Sequence, residues 1–220
     1  MSNRVFVHGS GRRGPDAWPI ASRDEATFLS FANAVPMDQR VDEIVLACQA
    51  PRAVLFAHSL GAVPAVLAAA SGRIDLAGLV LVEPALYDAV RGDEAIERHI
   101  AIVSEARDQA VADLRGFWMI FRPLMFGGPF DPETWATEQA VAEHWAFTTL
   151  PWGHGVRANA TRDVSTLVIT GCWNPEYEVI AQMLEESGAR HRVISGTGHR
   201  PQDHPNFAVI VEEFLTEAAF

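Results

Sequence analysis

The sequence lacks lysine altogether and contains few cysteines. All 17 basic residues of the 220-residue chain are arginines, and 28 acidic residues bring the net charge to −11. So acidic a surface argues against nucleic acid and against anionic membranes as partners. Cys48 and Cys172 are the only cysteines. Two are too few for a disulfide framework, so we expect a reducing, cytoplasmic location.

Long apolar runs are also missing. No segment approaches the roughly 20 apolar residues that a membrane-spanning helix needs. The N-terminal residues Met1–Arg4 lack the apolar stretch of a signal peptide. The composition, 49% hydrophobic and 20% charged, is ordinary for a globular protein. We therefore expect one globular domain over residues 1–220.

Short apolar runs typical of buried strands alternate with helical patterns. The predicted strands are Arg4–His8, Thr27–Phe31, Ala53–Ala57, Leu76–Val82, Val164–Thr170 and Arg190–Ser195. The predicted helices are Asp38–Ala50, Ala62–Ser71, Pro175–Ser187 and Asn206–Ala218. Apolar strands separated by helices predict an α/β fold, with a mostly parallel sheet of about six strands and helices on both faces. The aromatic-rich residues 88–162 break the alternation and are predicted to form an inserted helical cap.

The clearest chemical motif is Ala57-His58-Ser59-Leu60-Gly61, which joins a predicted strand to a predicted helix. This is the context of a nucleophile elbow, where a sharp turn exposes a reactive serine. The turn requires small residues two positions before and after Ser59, and Ala57 and Gly61 meet that need. Ser59 is the predicted nucleophile.

A second motif, Val7-His8-Gly9-Ser10-Gly11, follows the first predicted strand. Acyl transfer needs two N–H donors aimed at the oxyanion that develops on the carbonyl oxygen. The backbone amide of Leu60, after the serine, is one candidate. The backbone amide of Ser10 is the other, so these two amides form the predicted oxyanion hole.

The general base is predicted in the loop Gly196-Thr197-Gly198-His199-Arg200, which follows the last predicted strand. Because parallel strands end at one edge of the sheet, this loop and the serine turn open on the same side. His199 is the predicted base. We expect His204 to cap the following helix, and His8 and His58 to be structural or to line a pocket.

These three motifs, in the order oxyanion loop, serine, histidine, resemble the α/β-hydrolase superfamily. The resemblance extends from Val5 to the final predicted helix and is weakest over residues 88–162. It implies a Ser-acid-His triad and a pocket beneath the cap. A serine nucleophile argues against haloalkane dehalogenase and epoxide hydrolase chemistry, which uses aspartate in this superfamily.

The acid is where the sequence departs from the family pattern. The position that usually holds an aspartate reads Gly171-Cys172-Trp173-Asn174, and the amide of Asn174 cannot stabilise an imidazolium. Glu83, at the end of the preceding core strand, is the preferred candidate, because some haloalkane dehalogenases take their acid from that strand. Asn174 itself and Glu176 are the alternatives.

No cofactor is predicted. Histidine and cysteine do not recur at the spacing of metal ligands. Gly9–Gly14 matches the pattern G-x-G-x-x-G, but Pro15 and Pro19 follow where a dinucleotide site needs a helix.

The sequence thus predicts a cofactor-free serine hydrolase, esterase-like, acting on a small and hydrophobic acyl substrate. A lyase resembling the hydroxynitrile lyases is an alternative, although the absence of lysine excludes the variant that uses one. A non-catalytic binding protein with a decayed acid position is the other. A homodimer is left open.

Overall fold

The computed structural model describes residues 3–24 and 26–217, so Ala218, the predicted end of the last helix, lies outside the described residues. The six strands are β1 (Arg4–Val7), β2 (Ala26–Leu29), β3 (Ala53–His58), β4 (Leu76–Val82), β5 (Thr166–Thr170) and β6 (Arg190–Val193). They form one sheet in the order β2-β1-β3-β4-β5-β6, and every neighbouring pair is parallel. The predicted α/β fold with about six parallel strands is confirmed.

The helices are α1 (Met37–Ala47), α2 (Ala62–Ala70), α3 (Glu94–Gln109), α4 (Leu114–Phe126), α5 (Trp135–Phe147), α6 (Pro175–Glu186) and α7 (Asn206–Glu217). Within the described part of the chain, no helix is long and apolar enough to cross a membrane. Helices α2 and α6 follow β3 and β5 after short connections, because a parallel pair needs a crossover that returns the chain to the same end of the sheet.

The core lies on both faces of the central strands. In β3, the alternating residues Val54 and Phe56 and their neighbours Leu55 and Ala57 are all at most 1% exposed. Successive side chains of a strand point to opposite faces, so both faces of the sheet are covered. On one face, α7 contributes apolar side chains to a cluster with β1, β3, β4 and β5.

The chain divides into two compact units, one of residues Met1–Val90 and Leu150–Phe220 and one of Arg91–Thr149. The first unit contains the whole sheet. The second contains α3, α4 and α5, with α4 packed against both of the others. Its centre is aromatic: Phe117, Trp118 and Phe121 are at most 4% exposed. That this unit acts as a cap, with the predicted limits 88–162, stays a prediction.

Candidate active site

The site is built at the carboxyl ends of three neighbouring strands. Four non-glycine residues among those described have a positive φ, and three of them follow β3, β4 and β5: Ser59 (54°), Glu83 (45°) and Cys172 (54°). Left-handed backbone costs a non-glycine residue of order 1–3 kcal/mol and concentrates at functional sites. The strained backbone therefore lies at the carboxyl edge of the sheet, where the sequence analysis predicts the serine turn and the acid.

The serine turn is sharp and tightly enclosed. Ser59 follows β3 directly and begins a short 3-10 helix, Ser59–Gly61, that leads into α2. A Cβ on Gly61 would collide with the carbonyl oxygen of His8, and a Cβ on Gly9 would lie 2.9 Å from the Cβ of Ser59. These two glycines allow the loop after β1 to approach the serine. Of the two small residues that the sequence analysis required, Gly61 is therefore needed for backbone contact.

The two amides predicted to form an oxyanion hole lie next to this contact in the chain. Leu60 is 6% exposed and stands in the first turn of the 3-10 helix, where backbone N–H groups have no partner within the helix. Ser10 follows Gly9, which packs against Ser59. The function of the two amides stays a prediction.

Three aromatic rings flank His199. The centroid of its ring lies 4.8 Å from that of His58, 5.0 Å from that of Tyr177 and 5.7 Å from that of Trp173. Its Nδ1 lies 3.4 Å from Oε2 of Glu83. That separation is longer than an ideal hydrogen bond, as is common in sites without substrate.

Glu83 is a fully buried carboxylate held by two donors. The backbone N–H of Gly171 donates to Oε1 at 2.5 Å, and the indole Nε1–H of Trp173 donates to Oε2 at 2.9 Å. The side chain of Glu83 is 0% exposed. A buried charge is tolerated only when it is hydrogen-bonded, and these two bonds meet that requirement.

The other two acid candidates make different contacts. The side chain of Asn174 accepts a hydrogen bond from the backbone N–H of Glu176 and so caps α6. The carboxylate of Glu176 accepts a hydrogen bond from the hydroxyl of Tyr87 at 2.9 Å. Of the three candidates, Glu83 is the one that the structure brings to the imidazole of His199. The catalytic role of each stays a prediction.

His58 holds the loop of His199 through a hydrogen bond to its backbone. Its Nε2 lies 2.9 Å from the carbonyl oxygen of His199, so Nε2 carries the hydrogen and donates it. Burial, followed by the nearby charges of His199 and Arg200, holds the pKa of His58 well below its ordinary value. His58 is therefore a neutral, structural donor.

His8 is likewise neutral and structural. Its Nδ1 lies 2.6 Å from the carbonyl oxygen of Gly9, and its Nε2 accepts the backbone N–H of Phe31 at 2.8 Å. An imidazole that donates at one nitrogen and accepts at the other carries one proton. Burial lowers the pKa of His8 and keeps it in that form. As expected, His204 caps α7, accepting the backbone N–H of Asn206 at Nδ1.

The sequence analysis missed three side chains at this edge: Trp173, Tyr87 and Tyr177. Tyr177 lies in the first turn of α6 and is 3% exposed, and the centroid of its ring lies 5.0 Å from that of His199. The available signal was position, because all three follow the carboxyl ends of β4 or β5. Within residues 3–24 and 26–217, no group of three or more His, Cys, Asp or Glu side chains could hold a metal ion.

Solved structures with the same fold come from several bacteria. MenH from S. aureus is 16% identical, with a TM-score of 0.66, over 100% of this chain and 96% of that chain. NosK from Streptomyces actuosus is 20% identical, with a TM-score of 0.60, over 100% of both chains. A thermophilic esterase from Thermogutta terrifontis is 18% identical, with a TM-score of 0.60, over 99% of this chain and 90% of that chain. At such identities the likeness establishes the fold alone.

The family is established by the sequence itself. No protein with a curated description matches the chain. The model of the alpha/beta hydrolase family, however, matches residues 5–212, which include the serine turn, Glu83 and the His199 loop. The chain therefore belongs to the alpha/beta hydrolase family.

Proposed function

We propose that the protein is a serine hydrolase that cleaves a small ester or a related acyl compound without a cofactor. The observation that carries the proposal is the arrangement of Ser59, His199 and Glu83 at one edge of the sheet. Ser59 stands on a strained turn at φ 54°, and His199 Nδ1 faces a buried carboxylate. Nucleophile, base and orienting acid recur together in serine hydrolases of several unrelated folds.

In the proposed reaction, Ser59 Oγ attacks the substrate carbonyl while His199 Nε2 takes the hydroxyl proton. The carboxylate of Glu83 accepts the Nδ1–H bond, holds the productive tautomer and stabilises the imidazolium. The amides of Leu60 and Ser10 donate to the oxyanion. The protonated His199 then gives its proton to the leaving group, and water hydrolyses the acyl-enzyme in the same manner.

The choice of Glu83 as the acid rests on charge and on contact. Asn174 is neutral, and its side-chain oxygen is already used to cap α6. Glu176 accepts the hydroxyl hydrogen of Tyr87. A carboxylate with 0% exposure cannot be screened by water, so its interaction with an imidazolium is stronger than that of a surface pair.

The exposed indole of Trp173, beside His199, supports a substrate with an apolar group. Trp173 is 39% exposed although its ring lies 5.7 Å from that of His199. A large apolar surface open to solvent beside a reactive group is typical of a substrate-binding wall. We therefore propose a hydrophobic acyl or alcohol group for the substrate.

A fluorophosphonate probe tests the proposal, together with hydrolysis of short p-nitrophenyl esters. We expect the probe to label the parent protein at Ser59 and the Ser59→Ala variant not at all. Ser71→Ala is the matched control, since Ser71 caps the far end of α2. Product analysis separates hydrolysis from a lyase outcome. An unlabelled but correctly folded parent protein would refute the proposal.

A further inference from the structure

The loop after β1 and the loop after β6 carry two groups of the proposed mechanism, the backbone amide of Ser10 and the imidazole of His199. In the sheet order β2-β1-β3-β4-β5-β6, three strands lie between β1 and β6. Hydrogen bonds between strands join neighbours, so strand pairing does not connect these two loops directly. Their relative position therefore depends on contacts that the loops make with each other.

Arg200, the residue after His199, makes one of these contacts with its side chain. Its Nη2–H donates to the backbone carbonyl oxygen of Ala17 at 2.9 Å. Ala17 is 0% exposed and ends the short 3-10 helix Gly14–Ala17 in the loop after β1. The side chain next to the predicted base thus binds the segment that carries Ser10.

Asp203 fixes the direction of the Arg200 guanidinium. The Nε and Nη2 atoms of Arg200 donate to Oδ2 and Oδ1 of Asp203 at 3.1 and 2.6 Å, which makes a bidentate pair. Bidentate pairs of this kind add geometric specificity to the strength of a charged hydrogen bond. The backbone N–H of Asp203 also donates to the carbonyl oxygen of Arg200 at 3.0 Å, which closes the turn between them. The second hydrogen of Nη2 is therefore held in place to meet Ala17.

Asp203 also binds the loop after β1 at a second point. Its Oδ2 accepts a hydrogen bond from Nη1 of Arg12 at 3.0 Å. The side chain of Arg12 is 57% exposed, whereas those of Arg200 and Asp203 are 23% and 29% exposed. Water screens the more exposed pair, so we expect Arg12 to contribute less than Arg200. Ser10 thus lies between Gly9, which packs against the serine turn, and Arg12, which Asp203 holds.

We propose that Arg200, oriented by Asp203, is a positioning residue that holds the loop after β1 so that the amide of Ser10 can bind the oxyanion. The inference rests on the proposed function, because it concerns the same oxyanion hole. Arg200 acts through the backbone of Ala17 and touches no reacting atom. Because the oxyanion develops only on the way to the transition state, a displaced amide weakens binding of the transition state and spares binding of the ester.

Arg200→Lys is the variant that removes the contact with the least other change. Lysine keeps the positive charge close to His199, so the electrostatic field at the base is conserved. Its single nitrogen cannot reproduce the fork of a guanidinium, which binds both oxygens of Asp203 and the carbonyl oxygen of Ala17 at once. A loss of activity in Arg200→Lys therefore reports geometry and not charge.

The expected loss lies in kcat. We expect Arg200→Lys to lower kcat for a p-nitrophenyl ester by about 10- to 100-fold at a nearly unchanged KM. An alkyl trifluoromethyl ketone provides a second measurement, since its carbonyl carbon bonds to Ser59 Oγ, the serine proton passes to His199, and the oxyanion stays in the adduct. The affinity for this ketone should fall by the same factor as kcat.

Arg192→Lys is the matched control. Arg192 is exposed on β6, and its guanidinium donates to the carbonyl oxygen of His191 in the same strand. The same chemical change at this position should alter neither kcat nor the affinity for the ketone.

A purely structural or purely electrostatic role gives different results. If Arg200 only stabilised the fold, Arg200→Lys would lower the melting temperature and leave the kcat of the folded protein unchanged. If Arg200 acted on His199 through its charge, Arg200→Lys would keep kcat, and Arg200→Gln would shift the pH profile of kcat/KM. Either result overturns the proposal.

A double-mutant cycle tests whether Arg200 and Asp203 act as one unit. We expect Asp203→Asn to lower kcat as well, and the double variant with Arg200→Lys to lose little more than the weaker single variant. Losses that multiply overturn the proposal. Arg12→Gln should lower kcat by less than about fivefold, because its ion pair is exposed. Asp203→Asn provides the same test of kcat and ketone affinity if Arg200→Lys does not fold.

The failures of the two proposals are distinguishable. If a fluorophosphonate does not label the folded parent protein at Ser59, the hydrolase mechanism is refuted, and hydrogen exchange of the backbone amides of residues 9–17 decides whether Arg200 holds the loop. Faster exchange in Arg200→Lys than in Arg192→Lys supports that role, and equal exchange overturns it. If the parent is labelled and hydrolyses esters while Arg200→Lys keeps its kcat, the positioning role is refuted and the hydrolase mechanism stands.

Discussion

The loops that follow β4 and β5 begin alike and contribute opposite halves of one interaction. Both place a non-glycine residue in the left-handed region, Glu83 after β4 and Cys172 after β5. The first loop supplies a carboxylate. The second supplies the backbone N–H of Gly171 and the indole N–H of Trp173, which hold that carboxylate. The loop where the family resemblance predicts an acid thus carries the donors instead.

The carboxylate in the loop after β4 can meet the donors in the loop after β5 because the two strands are adjacent and paired in the sheet. Val82 pairs with Ile169, and the backbone N–H of Glu83 donates to the carbonyl oxygen of Ile169 at 2.9 Å. A Cβ on Gly171 would collide with the carbonyl oxygen of Gly198, so the β5 loop also lies directly against the His199 loop. The loops after β4 and β5 and the His199 loop therefore lie side by side.

Removing the hydroxyl of Ser59, the predicted nucleophile, should have the largest effect on activity. We expect Ser59→Ala to lower the turnover of a p-nitrophenyl ester by about 10⁴-fold or more, because a triad acts as a unit. Steady-state kinetics measure the loss, and circular dichroism checks the fold. Retained activity in a folded Ser59→Ala protein would contradict the assignment of the nucleophile.

Replacing the carboxylate of Glu83, in the loop after β4, by an amide should have the next largest effect on activity. We expect Glu83→Gln to lower kcat/KM by about 10³–10⁴-fold, because the amide cannot stabilise the imidazolium and selects the wrong tautomer of His199. Asn174→Ala, the matched change in the β5 loop, removes only a helix cap. It should cost about 1 kcal/mol of stability and change kcat/KM far less.

Asn174→Asp sharpens the same contrast. It restores a carboxylate where the family pattern has one. If Glu83 already supplies the charge, kcat/KM should not rise, since two carboxylates near one imidazole repel each other and raise one another's pKa. A rise in kcat/KM, or a greater loss in Asn174→Ala than in Glu83→Gln, would reverse the roles of the two loops.

Removing a donor from the β5 loop should have a smaller effect. Trp173→Phe keeps an aromatic ring beside His199 but deletes the N–H bond to Glu83. Hydrogen bonds to charged groups are worth about 1.5–3 kcal/mol, so we expect kcat/KM to fall by about 10- to 100-fold. Trp135→Phe, in the second unit, is the control. Equal kinetics in the two variants would show that the indole N–H does not support the acid.

The smallest expected effect is on stability, and it concerns His58, the last residue of β3. Burial keeps His58 neutral in the folded protein, while an unfolded histidine takes up a proton below about pH 6.5. Because the unfolded state then binds more protons, the free energy of unfolding should fall as the pH drops below 6.5, by at most about 1.4 kcal/mol per pH unit for this residue. Urea denaturation at pH 7.5, 6.5 and 5.5 measures the slope.

Two variants show which histidines cause the pH dependence of the free energy of unfolding. His58→Gln should flatten it and leave the part due to His8, whose pKa is also lowered by burial. His8→Gln in the His58→Gln background should remove that remaining part. A slope that survives the loss of both His8 and His58 would mean that other groups govern the acid sensitivity.

Local patterns predicted most of the sheet and the serine turn. β4 runs from Leu76 to Val82 as expected, because a continuous apolar stretch ends at Glu83-Pro84. β5 begins two residues later than predicted and β6 ends two residues earlier. Strand ends depend on pairing with a neighbour, and hydrophobicity does not report pairing.

The choice among Glu83, Asn174 and Glu176 could only be narrowed from the sequence. All three residues follow strands whose ends share one edge of the sheet, which follows from the parallel arrangement. Which side chain faces His199 depends on the registers of three strands and on a left-handed residue in each loop. The contribution of Trp173 also depended on this geometry, since an indole two residues before a helix start carries no local signal.

The order of the motifs and the period of the apolar runs determined, from the sequence alone, the parallel sheet, the edge that carries the site, and Ser59 and His199 as its candidates. These features rest on local rules of strand, turn and helix. Tertiary structure alone decided which carboxylate meets the imidazole of His199 and which N–H groups hold that buried carboxylate. The physical reason is that hydrogen bonds between distant segments require ångström positioning, which only the packed sheet provides.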